Sequence, residues 1–106
     1  MSEEKNTNEE KKEKIWYVYI LECMDGSFYT GVTNDIDKRM DSHAMGTGSK
    51  YVSSKGFKEL LRTKACKDHS DACKCEYQIK QLSKNEKLDW FNETNLTNQS
   101  NQISLT

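Results

Sequence analysis

The chain has 106 residues, 34% of them hydrophobic and 31% charged, with no proline. That length suits one small domain, and no apolar run is long enough to span a bilayer. Sixteen basic residues against 17 acidic ones leave a formal net charge of -1, which argues against strong attraction to nucleic acid through overall charge.

Polarity is unevenly spread. Residues 1–14, MSEEKNTNEEKKEK, carry no aliphatic side chain after Met1 and read as a disordered arm. Residues 93–106 are rich in Asn, Thr and Gln without a period and read as a second polar tail. Between them, residues 15–92 hold nearly all the aromatic residues and form the expected domain. The mixed-charge start has no apolar stretch behind it, so no signal peptide is visible. The expected location is cytoplasmic, where cysteines stay reduced.

In chain order, IWYVYILEC at 15–23 is β-branched or aromatic on both parities, which suits a strand buried on both faces. Asp25-Gly26 is a turn signal, and SFYTGV at 27–32 is the return strand of a hairpin. Thr33, Asn34 and Asp35 offer caps for a helix whose stripe is Ile36, Met40 and Ala44. Gly46 and Gly48 stop it, and residues 46–57 read as a loop. A third strand follows at 59–65. Asp68 or Ser70 caps the next helix, with a stripe through Ala72, Cys75 or Glu76, Ile79 and Leu82. Ser83-Lys84-Asn85-Glu86 is a capping box opening a last helix that carries Leu88 and Phe91. The order β-β-α-β-α-α predicts an α+β fold, a small three-stranded antiparallel sheet flanked by helices.

Several residues could carry chemistry. Glu76 falls on the Ala72/Ile79 face if the stripe runs through it, and a carboxylate there needs a partner or a metal. If the stripe runs through Cys75, Glu76 lies at the edge, and periodicity does not choose between the two. Arg39 and His43 are spaced i, i+4 and can converge on one anion; an exposed pair flanking the core is the blander alternative. Tyr17, Tyr19 and Tyr29 fit ordinary strand packing. Cys66, His69, Cys73 and Cys75 invite a zinc site, but their spacing offers no pair of metal knuckles, so free thiols are the preferred reading. Six basic residues against one acid between Ser49 and Lys67 could track phosphates or simply form a solvated face.

The pieces occur in a familiar order. Tyr17-Val18-Tyr19, with Tyr29-Thr30-Gly31 ten residues on, resembles the paired triplets of the GIY-YIG nuclease superfamily. The resemblance continues through TNDIDKRMDSH, GTGSKYV, Ala72-xxx-Glu76 and QIKQLSKNEK, covering almost the whole central segment. It is closest to small stand-alone bacterial-type members, which are also similar to the amino-terminal nuclease module of the excision-repair enzyme. Tyr17 stands where the family has Gly, Thr30 where it has Ile, and Val32 where some relatives have Lys.

The resemblance implies a metal-dependent endonuclease acting on nucleic acid, with DNA the default and repair or recombination the setting. It implies Tyr19, Tyr29, Arg39 and His43 as catalytic residues and Glu76 as the carboxylate for one Mg²⁺ or Mn²⁺ ion. Lys50, Tyr51 and Lys55 are the candidate nucleic-acid contacts. The alternatives are a catalytically weak or inactive nucleic-acid-binding module on the same fold, and a zinc-stabilised interaction domain. A shared pocket requires Tyr19 and Tyr29 on one sheet face. A two-residue turn would put them on opposite faces, whereas a loop of Met24, Asp25 and Gly26 pairs Leu21 with Tyr29 and gives Gly26 a positive φ.

Overall fold

The computed structural model describes residues 14–92. The expected arm and tail lie outside the described residues, Lys14 apart. The elements are β1 (Trp16–Cys23), β2 (Phe28–Thr33), α1 (Ile36–Met45), α2 (Lys50–Lys55), β3 (Phe57–Cys66) and α3 (His69–Lys80). Residues 84–92 form a further helix, α4.

The sheet is antiparallel in the order β2-β1-β3, so the most apolar strand lies in the middle. Val18, Tyr19, Ile20 and Leu21 are all fully buried, as a strand covered on both faces requires. On one face Val18 and Ile20 meet Ile79 and Phe91, with Phe28, Val32, Cys75 and Leu88 around them. On the other face Tyr19, Leu21 and Cys23 meet Val52, with Tyr29, Ile36 and Met40 beside them. Helices α3 and α4 therefore cover the first face, and α1 and α2 the second.

The hairpin closes through the three-residue loop. Cys23 N–H donates to Ser27 O at 2.8 Å and Gly26 N–H to Cys23 O at 2.9 Å. Gly26 has φ +90°, a left-handed conformation that side chains with a Cβ avoid. Leu21 pairs with Tyr29 and Tyr19 with Gly31, so the two tyrosines share a face. Asp25 locks the turn by accepting from Ser27 N at 3.0 Å and Ser27 Oγ at 2.6 Å. These bonds pull its carboxyl down to about 2.

Caps set the helix ends. Asp35 accepts from Lys38 N, Asp68 from Asp71 N, and the Ser83/Glu86 box closes in both directions. The segment expected to be a loop contains α2. Ser49 caps it by accepting from Val52 N at 3.1 Å, and Gly56 ends it with φ +90°. Its packing comes from Val52, a single apolar residue too isolated to show a period. β3 extends past the expected 59–65 at both ends, with register shifts against β1 between Ile20 and Leu21 and between Glu22 and Cys23.

Candidate active site

The site forms around the Tyr19 phenol. Tyr19 projects from β1 onto the α1 side, where its strand partner is Gly31. A Cβ on Gly31 would lie 2.5 Å from the Tyr19 hydroxyl oxygen and 2.7 Å from Cζ. Gly31 does not have positive φ, so its lack of a side chain serves space here. The phenol crosses β2 through the gap that this glycine leaves.

His43, in the last turn of α1, is 2% exposed. Its Nε2 lies 2.9 Å from the Tyr19 hydroxyl. Its ring is fixed from behind by Gly48, where a Cβ would approach Nδ1 to 2.5 Å. Nδ1 is buried and has no hydrogen-bond partner among the described residues. The Tyr29 ring completes the cluster, with its centroid 6.4 Å from Tyr19 and 5.5 Å from His43. Arg39 lies one turn before His43 on α1, half-buried, and its positive charge favours the ionised form of the Tyr19 hydroxyl.

Burial sets the protonation states. It lowers the His43 imidazole below its ordinary value, and the Arg39 charge adds to the effect. It raises the Tyr19 phenol well above its ordinary value. Tyr29 raises it further, Arg39 opposes the rise, and Glu76 contributes a smaller upward push. Both partners of the Tyr19–His43 hydrogen bond are therefore neutral at pH 7.

Glu76 comes from the opposite side of the sheet. Ala72 and Ile79 are buried, and Cys75 packs against the apolar core, so the helix stripe runs through Cys75. Glu76 lies on the flank, its side chain 24% exposed, with Lys80 Nζ 3.3 Å from a carboxylate oxygen. Its field still reaches Tyr19. The sheet thus brings Tyr19, Tyr29, Arg39 and His43 together from one face and adds one carboxylate from the helix layer of the other.

The candidate nucleic-acid contacts divide. Tyr51 stacks on Tyr29 at 5.9 Å, and Lys55 Nζ lies 5.3 Å from the Tyr51 ring centroid. Lys55 also pairs with Asp25 at 3.2 Å. Lys50 lies apart, in a hollow with Gly46, Thr47, Ser49, Ser53 and Ser54. Among the cysteines and histidines, Cys66 and Cys75 pack against the core, while Cys73 Sγ lies 3.4 Å from His69 Nε2 and the Trp16 ring meets His69 at a tilt, centroids 4.4 Å apart. No group of three or more potential metal ligands occurs among the described residues.

The sequence reading did not single out Lys80 or Lys87 and did not give Gly31 and Gly48 their steric roles. Lys80 carried a usable signal in its i, i+4 spacing from Glu76. The glycines carried none, because their function is a contact with side chains remote in sequence.

The GIY-YIG catalytic domain family matches residues 15–89, and the chain belongs to that family. Membership supports an endonuclease-type activity. Among its relatives, the UPF0213 protein BH0048 of Halalkalibacterium halodurans is 48% identical over 71 residues, covering 67% of this chain and 76% of that protein. The UPF0213 protein VNG_2274C of Halobacterium salinarum is 41% identical over 75 residues, covering 71% of this chain and 97% of that protein. The solution NMR structure of the UPF0213 protein BH0048 from Bacillus halodurans, at 45% identity, covers 72% of this chain and 81% of that one with a TM-score of 0.45. No helix among the described residues is long and apolar enough to cross a membrane.

Proposed function

We propose that this protein is a metal-dependent endonuclease that hydrolyses phosphodiester bonds, with DNA as its first substrate and repair or recombination as its setting. The observation that carries this reading is the convergence of Arg39, His43, Tyr29 and Glu76 on one phenol, Tyr19.

In this mechanism Arg39 forks onto non-bridging phosphate oxygens and stabilises the charge that builds there. As its guanidinium moves to the phosphate, the Tyr19 hydroxyl opens to a water. Tyr19 is too weak an acid to work as a free phenolate. Its 2.9 Å contact with the neutral His43 Nε2 removes that requirement. The phenol takes the proton of the attacking water as it passes its own proton to the imidazole. The pairing of Arg39 with phosphate offsets the smaller of the two influences that keep His43 neutral, burial being the larger. Tyr29 and Tyr51 border the approach of the substrate.

Glu76 fits a hard divalent cation such as Mg²⁺ or Mn²⁺. It is one carboxylate whose counter-ion, the half-exposed Lys80, a cation can displace, and such ions complete their shells with water and substrate phosphate. Bound there, the ion would stabilise the charge of the leaving 3′ oxygen.

The test is a panel of labelled DNA and RNA duplexes, flaps, nicks and single strands, incubated with Mg²⁺ or Mn²⁺. We expect cleavage of at least one substrate, its loss in Glu76→Ala with an unchanged melting curve, and a fall in turnover exceeding the fall in binding for Arg39→Ala. Normal cutting by Glu76→Ala would overturn the metal assignment. No cutting of any substrate would leave a binding module on the same fold.

A further inference from the structure

Beyond the catalytic cluster, a groove of about 280 Å³ runs over the outer edge of β2, lined by Phe28, Tyr29, Thr30, Tyr51, Lys80 and Lys87. Phe28 and Tyr29 point to opposite faces of the sheet, so the groove wraps the free edge of that strand. One wall is aromatic, and the other carries two ammonium groups.

We infer that this groove is a subsite for one unpaired nucleotide, its base against the Tyr29/Tyr51 wall and its phosphate on Lys80 and Lys87. The inference rests on the nuclease reading and specifies its substrate class as strands with an unpaired segment at the cut.

The wall is pre-set. Tyr51 is 40% exposed, yet it is held by the stack on Tyr29 and by Lys55, which Asp25 anchors in turn. Lys84 lies 4.7 Å from the Phe28 ring centroid and donates to Gly26 O at 2.7 Å. These two lysines are committed to the wall. Lys87 is half-buried and has no ion-pair partner among the described residues, while Lys80 is shared between the groove and Glu76. A partly exposed aromatic wall beside two ammonium groups, one of them (Lys87) without an ion-pair partner among the described residues, recognises a flat ring that carries an anion. Thr30, with a buried hydroxyl that has no partner among the described residues, adds a polar group to the groove lining. The position selects a nucleotide among such ligands. Tyr29 is a wall of both the groove and the catalytic cluster, and Lys80 touches the carboxylate assigned to the metal, so the next phosphate along the strand meets the catalytic residues. A paired base cannot present its face to Tyr51, because its neighbours in the duplex cover it.

The test measures fluorescence anisotropy of the full chain, in EDTA so that nothing is cut, with a labelled single-stranded DNA 12-mer, the same strand as RNA, a blunt DNA duplex and a duplex with a 5′ flap. The single strands and the flap are expected to bind about ten-fold tighter than the blunt duplex. Tyr51→Ala and Lys87→Ala should each remove that preference, bringing single-strand and flap affinity down to that of the blunt duplex. Lys74→Ala, which deletes an exposed charge outside the groove, should leave the preference intact. Equal binding of RNA and DNA single strands supports the subsite as a reader of unpaired bases. Equal affinity for duplex and single strand, or a preference that survives Tyr51→Ala, overturns it. The cleavage panel judges the nuclease reading separately. Cutting without a Tyr51-dependent preference overturns the subsite alone, and a Tyr51-dependent preference without cutting overturns the nuclease reading alone.

Discussion

The two faces of the sheet are built from the same strand and do different work. Along β1, Val18 and Ile20 enter a layer of Ile79, Phe91 and Leu88, which is packing apart from the Glu76 carboxylate on its flank. Tyr19, between them, enters a layer that buries a phenol, an imidazole and a guanidinium's reach. Burying polar groups is costly unless they are paired. The second face meets that condition in part, with one hydrogen bond between Tyr19 and His43, while His43 Nδ1 stays without a partner among the described residues and two glycines let the rings settle. Alternation along one strand thus separates the source of stability from most of the chemistry, Glu76 excepted. Thr30 is an exception, a hydroxyl without a partner among the described residues on the apolar side.

The sharpest way to break this comparison is to damage the packing face alone. Ile79→Ala should cost about 2–5 kcal/mol, a large share of the stability of a small domain. Its melting temperature should fall steeply, while turnover per folded molecule, measured well below that temperature, stays near wild type. A matching loss of turnover would show that the faces are coupled.

Gly31→Ala strikes the other face. Its Cβ would be driven into Tyr19, for an overpacking cost of about 1–3 kcal/mol. Here the melting temperature should fall less than in Ile79→Ala, while turnover per folded molecule falls far more. Intact activity in this variant would mean that the phenol's position is not critical.

The smallest effect is a dependence on pH. The folded-state pKa of His43 lies below its unfolded value of about 6.5. Above that pH both states are neutral, and His43 contributes no slope. As pH falls below about 6.5 the unfolded chain takes up a proton first, so stability declines. The melting temperature should drop between about pH 7 and about pH 5.5, and the drop should flatten in His43→Gln. An equal drop in both proteins would assign the slope to other groups.

Much of this was legible from residue order. Parity gave the hairpin register and the common face of Tyr19 and Tyr29, because a three-residue loop is the closure that keeps them together. Asp35, Asp68 and the Ser83/Glu86 pair announced their helices through side chains that cap their own backbone, a local interaction. The helix at 50–55 was not legible, since six residues with one buried position are too short to show a period. Periodicity also left Glu76 undecided between core and edge, because it reports which face is buried and not which neighbour waits there. The groove of Phe28, Tyr51, Lys80 and Lys87 joins four elements and exists only after they pack.

The central place of β1 has a consequence for how the chain is made. Its partner β2 follows after a three-residue loop, so the hairpin can close within about 1–10 μs of leaving the ribosome. Its other partner, β3, comes only after α1 and α2 have been synthesised. At about 5–20 residues per second, that leaves the most apolar strand with one edge bare for a time on the order of seconds. An open apolar edge is a template for a neighbouring chain. The arrangement that serves the finished molecule therefore concentrates its exposure to misassembly in one strand during synthesis.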